Sequence, residues 1–364
     1  MFNRKSIYYW KCDRPYAFYA LDESGQKMEA SNLEDTISAL LHRHFGSKEF
    51  SFQPAGGQGN HITYLVLFEV KTFFLRIEDG PEGDNYMGIE ARIMDEVRAT
   101  GVKTPGIFAV DSSRKNFPFA YQIMEFLDYP DLNSIDKNGK LDLLSVGVQI
   151  GENIARWQTI KPGGFGLFDP ACLEKENRLQ GLHGRYQDYF LLNWDRHLDF
   201  LESRRFLSSG ETLKLKNVVN QHLPFLQVEQ GCLVHKDLAL WNILGSTDEI
   251  RAFIDWDDSI SGDPTDDISL LACFHNWEFM ESVLHGYQKV RELPVHFESR
   301  FWLHLLRNMI VKAVIRVGAG YFDRKDDFFL IGTGSNGKSL ETTTRERIQL
   351  AYSGLTGNAK ITDL

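Results

Sequence analysis

The stretch HKDLALWN, residues 235–242, decides the fold class of this 364-residue chain. It follows a short apolar run, residues 232–234, and it holds a carboxylate and a carboxamide, Asp237 and Asn242, five positions apart. Thirteen residues beyond Asn242, the stretch FIDW places Asp255 at the end of a second apolar run. A loop that follows a strand can aim such side chains inward, and an Asp with an Asn supplies the oxygen donors that Mg²⁺ accepts.

This donor set fits phosphoryl transfer. That reaction depends on positioning and on neutralising the charge of the transferring group, and a positioned carboxylate orients the nucleophile. With one aspartate and the asparagine committed to a metal, one aspartate remains for the hydroxyl of an acceptor. The sequence therefore predicts a phosphotransferase centre around these residues.

The motifs resemble those of the aminoglycoside phosphotransferase and choline kinase superfamily, relatives of the protein kinases. The catalytic segment of that family reads His-x-Asp-x-x-x-x-Asn, an Ile-Asp-Trp follows it, and the likeness continues through a GDPTDDI stretch. The resemblance implies that Asp237 is the catalytic aspartate and that His235 supports its loop. It implies that Asn242 and Asp255 bind magnesium, and Asp267 resembles the aspartate at a helix start that steadies the same loop.

Two positions of the catalytic segment depart from the family pattern. Lys236 replaces a common glycine, and Trp241 stands where a smaller residue is usual. Both changes leave the carboxylates in place, so we expect them to affect the acceptor pocket rather than the chemistry.

The resemblance extends upstream to a glycine-rich stretch, GGQGNHITY, which looks like the nucleotide loop of the family. Glycines let backbone amides approach phosphate oxygens. The loop residues that the resemblance implies are Gly56, Gly57, Gly59 and Asn60. Arg76 lies on the second predicted strand after this loop, and Glu90 lies on the next predicted helix. The two are expected to pair and to hold the phosphates. Arginine stands here where protein kinases use lysine, and its fixed fork favours bidentate contacts.

Met124, Glu125 and Phe126 end an apolar strand and resemble the hinge whose backbone groups hold the nucleotide base. The implied cofactors are Mg²⁺ and a nucleotide donor, ATP or GTP. The expected partners are this nucleotide and a small-molecule acceptor.

The order of periodic segments predicts an α+β chain with a small antiparallel-sheet lobe followed by a larger, mainly helical lobe. The family resemblance implies that these form a two-lobed protein-kinase-like fold. The expected parts are an N-terminal extension (residues 1–46), a nucleotide-binding lobe (47–128) and a catalytic and acceptor-binding lobe (129–364). The extension is expected to hold a hairpin with its turn near Pro15, followed by an amphipathic helix. A long helix is predicted over residues 184–206.

Composition excludes some partners. The net charge is −10 and no long basic run occurs, which argues against nucleic-acid binding. The most apolar late segment, residues 309–322, is interrupted by Lys312 and Arg316, so no membrane span is predicted. The four cysteines form no C-x-x-C pair, which indicates a reducing compartment, and we expect a cytoplasmic protein.

The acceptor is not specified by any motif. Glu278, Glu281 and the pair Asp257 and Asp258 would suit an amine-bearing acceptor if they line the pocket, and solvated surface charges are the competing interpretation. Aminoglycoside, choline, homoserine, ketosamine and macrolide acceptors all remain open, because the acceptor pocket follows no readable pattern.

Two other functional classes remain open. The stretch GTGSNGKS, residues 332–339, fits the phosphate loop of P-loop NTPases, which would act through Lys338. That fold needs further strands after the loop, and only residues 340–364 remain to supply them. The second alternative is a catalytically silent binding protein that keeps the kinase shape.

Overall fold

The computed structural model describes residues 3–13, 30–55, 61–78, 83–323 and 338–364. Those residues form the predicted two-lobed α+β fold, which is thereby confirmed. The elements up to the lobe boundary are α1 (Trp10–Asp13), α2 (Ala30–Phe45), β1 (Phe50–Pro54), β2 (Ile62–Phe68), β3 (Lys71–Glu78), α3 (Tyr86–Ala99), β4 (Ile107–Asp111) and β5 (Ala120–Glu125).

The sheet of the small lobe has the strand order β1-β2-β3-β5-β4, and neighbouring strands are antiparallel. Side chains along β3 alternate between its two faces, as the repeat of a strand requires. One face packs with α2 and buries Phe73, Leu75 and Ile77, each burial contributing about 1.5–3 kcal/mol. The other face carries Phe74 and Arg76, which line a cavity. The alternation therefore decides that Arg76 faces the cavity.

The described part of the N-terminal extension differs from the predicted hairpin. Residues 3–13 form a 3-10 turn and the short helix α1, and Tyr8 and Tyr9 are buried in the core of the large lobe. The carboxylate of Asp13 accepts the backbone N–H groups of Tyr8 (3.0 Å) and Tyr9 (3.2 Å), which closes the chain into a turn. The aromatic residues that suggested a strand are buried by helices instead, and Pro15 lies outside the described residues.

The large lobe is built mainly from helices. Its elements are α4 (Leu132–Lys137), α5 (Leu143–Trp157), β6 (Phe165–Phe168), α6 (Pro170–Glu176), β7 (Gly181–His183), α7 (Tyr186–Phe190), α8 (Trp194–Ser203), α9 (Ser209–His222), β8 (Cys232–Val234), β9 (Ile243–Gly245), β10 (Ile250–Phe253), β11 (Ile260–Gly262), α10 (Thr265–Leu271), α11 (Trp277–Gln288), α12 (Phe297–Gly318) and α13 (Leu340–Leu355). Among the described helices, none combines the length and the apolar character needed to cross a bilayer.

The single helix predicted over residues 184–206 is wrong, because the chain breaks between α7 and α8. Asn193 takes a left-handed conformation there, with φ 57°. The guanidinium of Arg307 donates to the carbonyl oxygens of Phe190 (3.0 Å) and Leu192 (2.7 Å), which a continuous helix would use internally. A buried cation from α12 thus stabilises the break.

Two small sheets frame the motif-bearing loops. Strands β7, β6, β11 and β8 form one sheet, and β9 and β10 form an antiparallel pair. Strand β8 leads directly into residues 235–242, and β10 ends two residues before Asp255. Strand β11 leads into α10, whose first turn contains Asp267. The sheets therefore bring three loops to one place.

Candidate active site

The predicted catalytic loop, residues 235–242, is held in place by Asp267. Its carboxylate accepts the backbone N–H groups of His235 and Lys236, both at 3.0 Å, and the indole N–H of Trp157 at 3.1 Å. The His235 ring nitrogen Nε2 lies 3.0 Å from the carbonyl oxygen of Ile254, which joins the loop to the segment before Asp255. The structure thus places His235 and Asp267 where they hold the loop.

Asp237 is buried near the start of this loop, and three donors surround its carboxylate. Asn242 Nδ2 donates to Oδ2 (3.2 Å) and to the Asp237 carbonyl oxygen (2.7 Å). The Tyr9 hydroxyl donates to Oδ1 (2.8 Å), and Lys11 Nζ donates to Oδ2 (3.3 Å). Burial opposes ionisation, but the nearby ammonium of Lys11, then Lys312 and the Tyr9 hydroxyl outweigh it and lower the pKa of Asp237. The carboxylate is therefore ionised and oriented near neutral pH.

Asp255 and Asn242 present oxygens to the same cavity. Asp255 has φ 65°, a left-handed conformation that aspartate tolerates better than most residues, and such outliers cluster at functional sites. Its carboxylate accepts no hydrogen bond from the described residues, and its nearest cation, Arg76 Nη2, is 3.8 Å away. Because the Asn242 amide nitrogen is used by Asp237, the Asn242 amide oxygen is left for a ligand.

The charges around Asp255 fit a divalent cation. Burial and the neighbouring Asp257 raise the pKa of Asp255 to about 7, against the opposing effect of Arg76. Such crowded carboxylates gain from a cation between them. Among the described residues, no group of three or more His, Cys, Asp or Glu side chains could hold a metal alone. Mg²⁺ needs only one or two carboxylates when substrate phosphates complete its shell, so this donor set fits it.

Arg76 and Glu90 meet across β3 and α3, with Arg76 Nη1 donating to Glu90 Oε1 at 2.7 Å. Gln122 on β5 donates through Nε2 to the other carboxylate oxygen, Glu90 Oε2, at 3.1 Å. Gln122 is the register partner of Arg76 in the neighbouring strand. Arg76 Nη2 is a buried donor without a hydrogen-bond partner among the described residues. A buried guanidinium N–H aimed into a cavity fits a phosphate oxygen.

These side chains line one cavity of about 680 Å³, a size typical of ligand sites. The cavity is also lined by Met124, Glu125, Phe126 and Leu127. The backbone N–H of Glu125 is already bonded to the carbonyl oxygen of Gly106 at 2.7 Å, whereas no described residue accepts the N–H of Leu127. Leu127 therefore joins the predicted hinge residues as a candidate to hold the base.

Two sequence predictions fall largely outside the described residues. Gly56, Gly57, Gly59 and Asn60 all lie there, as does most of the stretch 332–339. The two described residues of that stretch act on the surface: Lys338 pairs with Glu346 at 2.7 Å, and Ser339 caps α13. Within the described residues the last strand ends at Gly262, so no parallel sheet supports a P-loop there.

The four acidic residues considered for an amine-bearing acceptor separate into two pairs. Glu278 and Glu281 are exposed on α11 and do not line the cavity. Asp257 and Asp258 do line it, and Asp257 lies 3.4 Å from His61 Nε2 and 3.8 Å from Arg76. Asp257 is thus already placed between Arg76 and His61.

Sequence reasoning missed Tyr9, Lys11, His61 and Gln122. Gln122 follows from strand register once Arg76 is placed, and His61 is part of the quoted glycine-rich stretch. Tyr9 and Lys11 carried no signal beyond an unexplained aromatic run, because their contact with Asp237 spans 228 and 226 positions.

Solved structures with the same fold include aminoglycoside phosphotransferases. APH(4)-Ia shares 15% identity with a TM-score of 0.61, over 88% of this chain and 99% of that one. APH(2'')-Ib with bound ADP shares 16% identity with a TM-score of 0.56, over 90% and 99%. A fructosamine-3-kinase-like protein from Haemophilus somnus shares 15% with a TM-score of 0.59, over 87% and 97%. At this identity the likeness shows the fold.

No curated protein sequence matches the chain. The sequence model of the phosphotransferase enzyme family matches residues 52–302, which is more than half of the chain and includes both lobes. The match contains the Arg76–Glu90 pair, the catalytic loop and Asp255. The chain belongs to the phosphotransferase enzyme family.

Proposed function

We propose that this phosphotransferase is a Mg²⁺-dependent small-molecule kinase, which transfers the γ-phosphate of ATP or GTP to an acceptor hydroxyl. The observation that carries the proposal is a single cavity lined by Asp237, Asn242, Asp255 and the Arg76–Glu90 pair. A base, a metal donor set and a phosphate-facing cation are the parts that phosphoryl transfer needs. APH(4)-Ia was crystallised with AMP-PNP and hygromycin B together, which supports a nucleotide donor and a small-molecule acceptor here.

Each residue has a separate role in this transfer. Asn242 and Asp255 hold the metal, which when bound neutralises phosphate charge. Arg76, kept in place by Glu90, donates its free N–H to a phosphate oxygen. Asp237 accepts the acceptor's hydroxyl proton while the oxygen–phosphorus bond forms. The bond between the γ-phosphorus and the bridging oxygen breaks, and the nucleoside diphosphate leaves.

The direct test is a transfer assay with Asp237→Asn, which keeps the size of the side chain but removes its basicity. A screen of neutral, cationic and anionic hydroxyl compounds, with a few amines, and labelled ATP first identifies the acceptor. Loss of a general base costs about 10²–10⁴-fold in rate. We therefore expect transfer to fall by that factor while Mg·ADP binding stays within about threefold.

The control for this test is Asp128→Asn, a change at an exposed residue of the lobe boundary. It should transfer phosphate at the rate of the unmodified protein. Transfer by Asp237→Asn at an unchanged rate would refute the role of Asp237. A screen in which no compound accepts phosphate, with no Mg·ATP binding, would refute the kinase assignment.

A further inference from the structure

The N-terminal segment, defined as residues 3–13, is built into the large lobe beside the catalytic loop. Asp13 accepts two backbone N–H groups of the segment and lies 2.8 Å from His197 Nε2. The Tyr8 ring stacks on Tyr189 with ring centroids 4.9 Å apart, and the Arg307 guanidinium lies 3.6 Å from the Tyr8 centroid. These buried contacts fix the segment in one position.

The catalytic loop itself takes part in this anchoring. Lys236 Nζ donates to the Tyr8 hydroxyl at 3.0 Å, to Asp266 at 2.7 Å and to Asn308 at 3.2 Å. The one lysine within residues 235–242 is thus turned away from the cavity and binds the N-terminal segment. The loop therefore brings no free ammonium of its own to the transferring group.

The segment returns two side chains to Asp237, and they differ in exposure. Tyr9 is 6% exposed and does not line the cavity, and its hydroxyl donates to Asp237 Oδ1. The side chain of Lys11 is 40% exposed, lines the cavity, and holds Oδ2. A lysine that served only to neutralise Asp237 would not need to face the open cavity.

Lys11 and Arg76 line the same cavity from distant parts of the chain. Arg76 Nη2 lies 3.8 Å from Asp255, and Lys11 Nζ lies 3.3 Å from Asp237. In the proposed function Asp255 holds the metal and Asp237 meets the acceptor. A phosphoryl group that passes to an acceptor held at Asp237 therefore comes beside the Lys11 ammonium.

We propose that Lys11 is a catalytic residue that the N-terminal segment supplies, with its ammonium contacting the γ-phosphoryl group during transfer. The inference rests on the proposed function. The Lys11 ammonium stays protonated and donates to a γ-phosphate oxygen as the acceptor oxygen–phosphorus bond forms and the bond to the β-phosphate breaks. The hydroxyl proton goes to Asp237, and Lys11 holds the negative charge that spreads over the transferring oxygens.

The test compares nucleotides with and without a γ-phosphate, so it needs no knowledge of the acceptor. Dissociation constants for Mg·AMP-PNP and Mg·ADP are measured calorimetrically with the full chain and with Lys11→Met. A hydrogen bond to a charged group justifies an expected loss of about tenfold for Mg·AMP-PNP. Mg·ADP binding should stay within about twofold, because ADP lacks the group that Lys11 contacts.

Two further variants make the result specific. Lys11→Arg retains a cation and should recover most of the Mg·AMP-PNP affinity. Lys5→Met changes an exposed lysine of the same segment and should bind both nucleotides as the unmodified protein does. Equal weakening of both nucleotides, unchanged Mg·AMP-PNP binding, or faster Mg·ATP hydrolysis in Lys11→Met would each overturn the inference. If the unmodified protein binds neither nucleotide, the proposed function fails, and the inference falls with it.

Discussion

Lys236 combines an unfavourable backbone conformation with a favourable buried contact. Its φ is 69°, in the left-handed region, which explains why a glycine is common at this position in the family. A non-glycine residue there costs about 1–2 kcal/mol. Its ammonium is 2.7 Å from the buried carboxylate of Asp266 and also bonds Tyr8, and these partners, against the opposing effect of burial, raise the pKa of Lys236. The contact with Asp266 explains why the chain keeps a lysine.

These magnitudes predict the stability of two substitutions at this position. Removing one partner of a buried ion pair costs about 3–5 kcal/mol. Lys236→Ala should lose about that much, whereas Lys236→Gly, which relieves the left-handed strain, should lose about 1–2 kcal/mol less than Lys236→Ala. Urea unfolding of both variants measures the difference. Lys236→Gly with the stability of the unmodified protein would contradict the buried pair, and equal losses would contradict the strain.

At the scale of secondary-structure elements, α5 and α11 pack closely because each presents a glycine to the backbone of the other. A Cβ added at Gly151 would overlap the carbonyl oxygen of Val283, and one added at Gly286 would overlap that of Val148. Backbone atoms cannot move aside as the end of a side chain can. The spacing of this helix pair is therefore fixed by residues without side chains.

We expect Gly151→Ala to destabilise the fold by about 1–3 kcal/mol or more, because overpacking forces the helices apart. The matched control is Gly210→Ala on α9, where nothing lies within 4 Å of the added carbon. There alanine should stabilise by about 0.4–1 kcal/mol through its lower backbone entropy when unfolded. Thermal unfolding of both variants checks the opposite signs. Gly151→Ala at unchanged stability would refute the close packing.

At the scale of the whole molecule, the candidate site joins parts of the chain that lie in different cores. Arg76 belongs to the small-lobe sheet, and Asp237 and Asp255 belong to loops of the large lobe. The N-terminal segment adds Lys11 to the same cavity. A nucleotide that touches these parts binds the folded chain and not the unfolded one, so it must stabilise the fold.

Mg·ADP at about 100 times its dissociation constant should raise the free energy of unfolding by about 2.7 kcal/mol. Asp255→Asn should reduce this gain to the level that ADP gives with a metal chelator, because the metal loses its carboxylate. Asp248→Asn, an exposed change in the hairpin between β9 and β10, should keep the full gain. Thermal shift with and without Mg²⁺ measures both. A full magnesium-dependent gain in Asp255→Asn would exclude it as a ligand.

Much of this architecture could be predicted from local sequence. Alternating apolar residues indicated the strands around Arg76, and the motifs that contain Asp237, Asn242 and Asp255 predicted that these residues lie together, as they do in one cavity. Such features depend on neighbours in the chain, since a strand repeats every two residues and a loop holds its own side chains. The break near Asn193 was missed because the guanidinium that stabilises it comes from Arg307, more than a hundred positions away.

The sequence by itself determined the fold class and the phosphotransferase family, because both depend on contiguous or regularly spaced residues. Only the tertiary structure decided that the N-terminal segment contacts Asp237 through Tyr9 and Lys11. The aromatic side chains of that segment are buried against a complementary surface of the folded large lobe. That surface is formed by Tyr189, Arg307 and Lys236 together, and it exists only once the helices have packed.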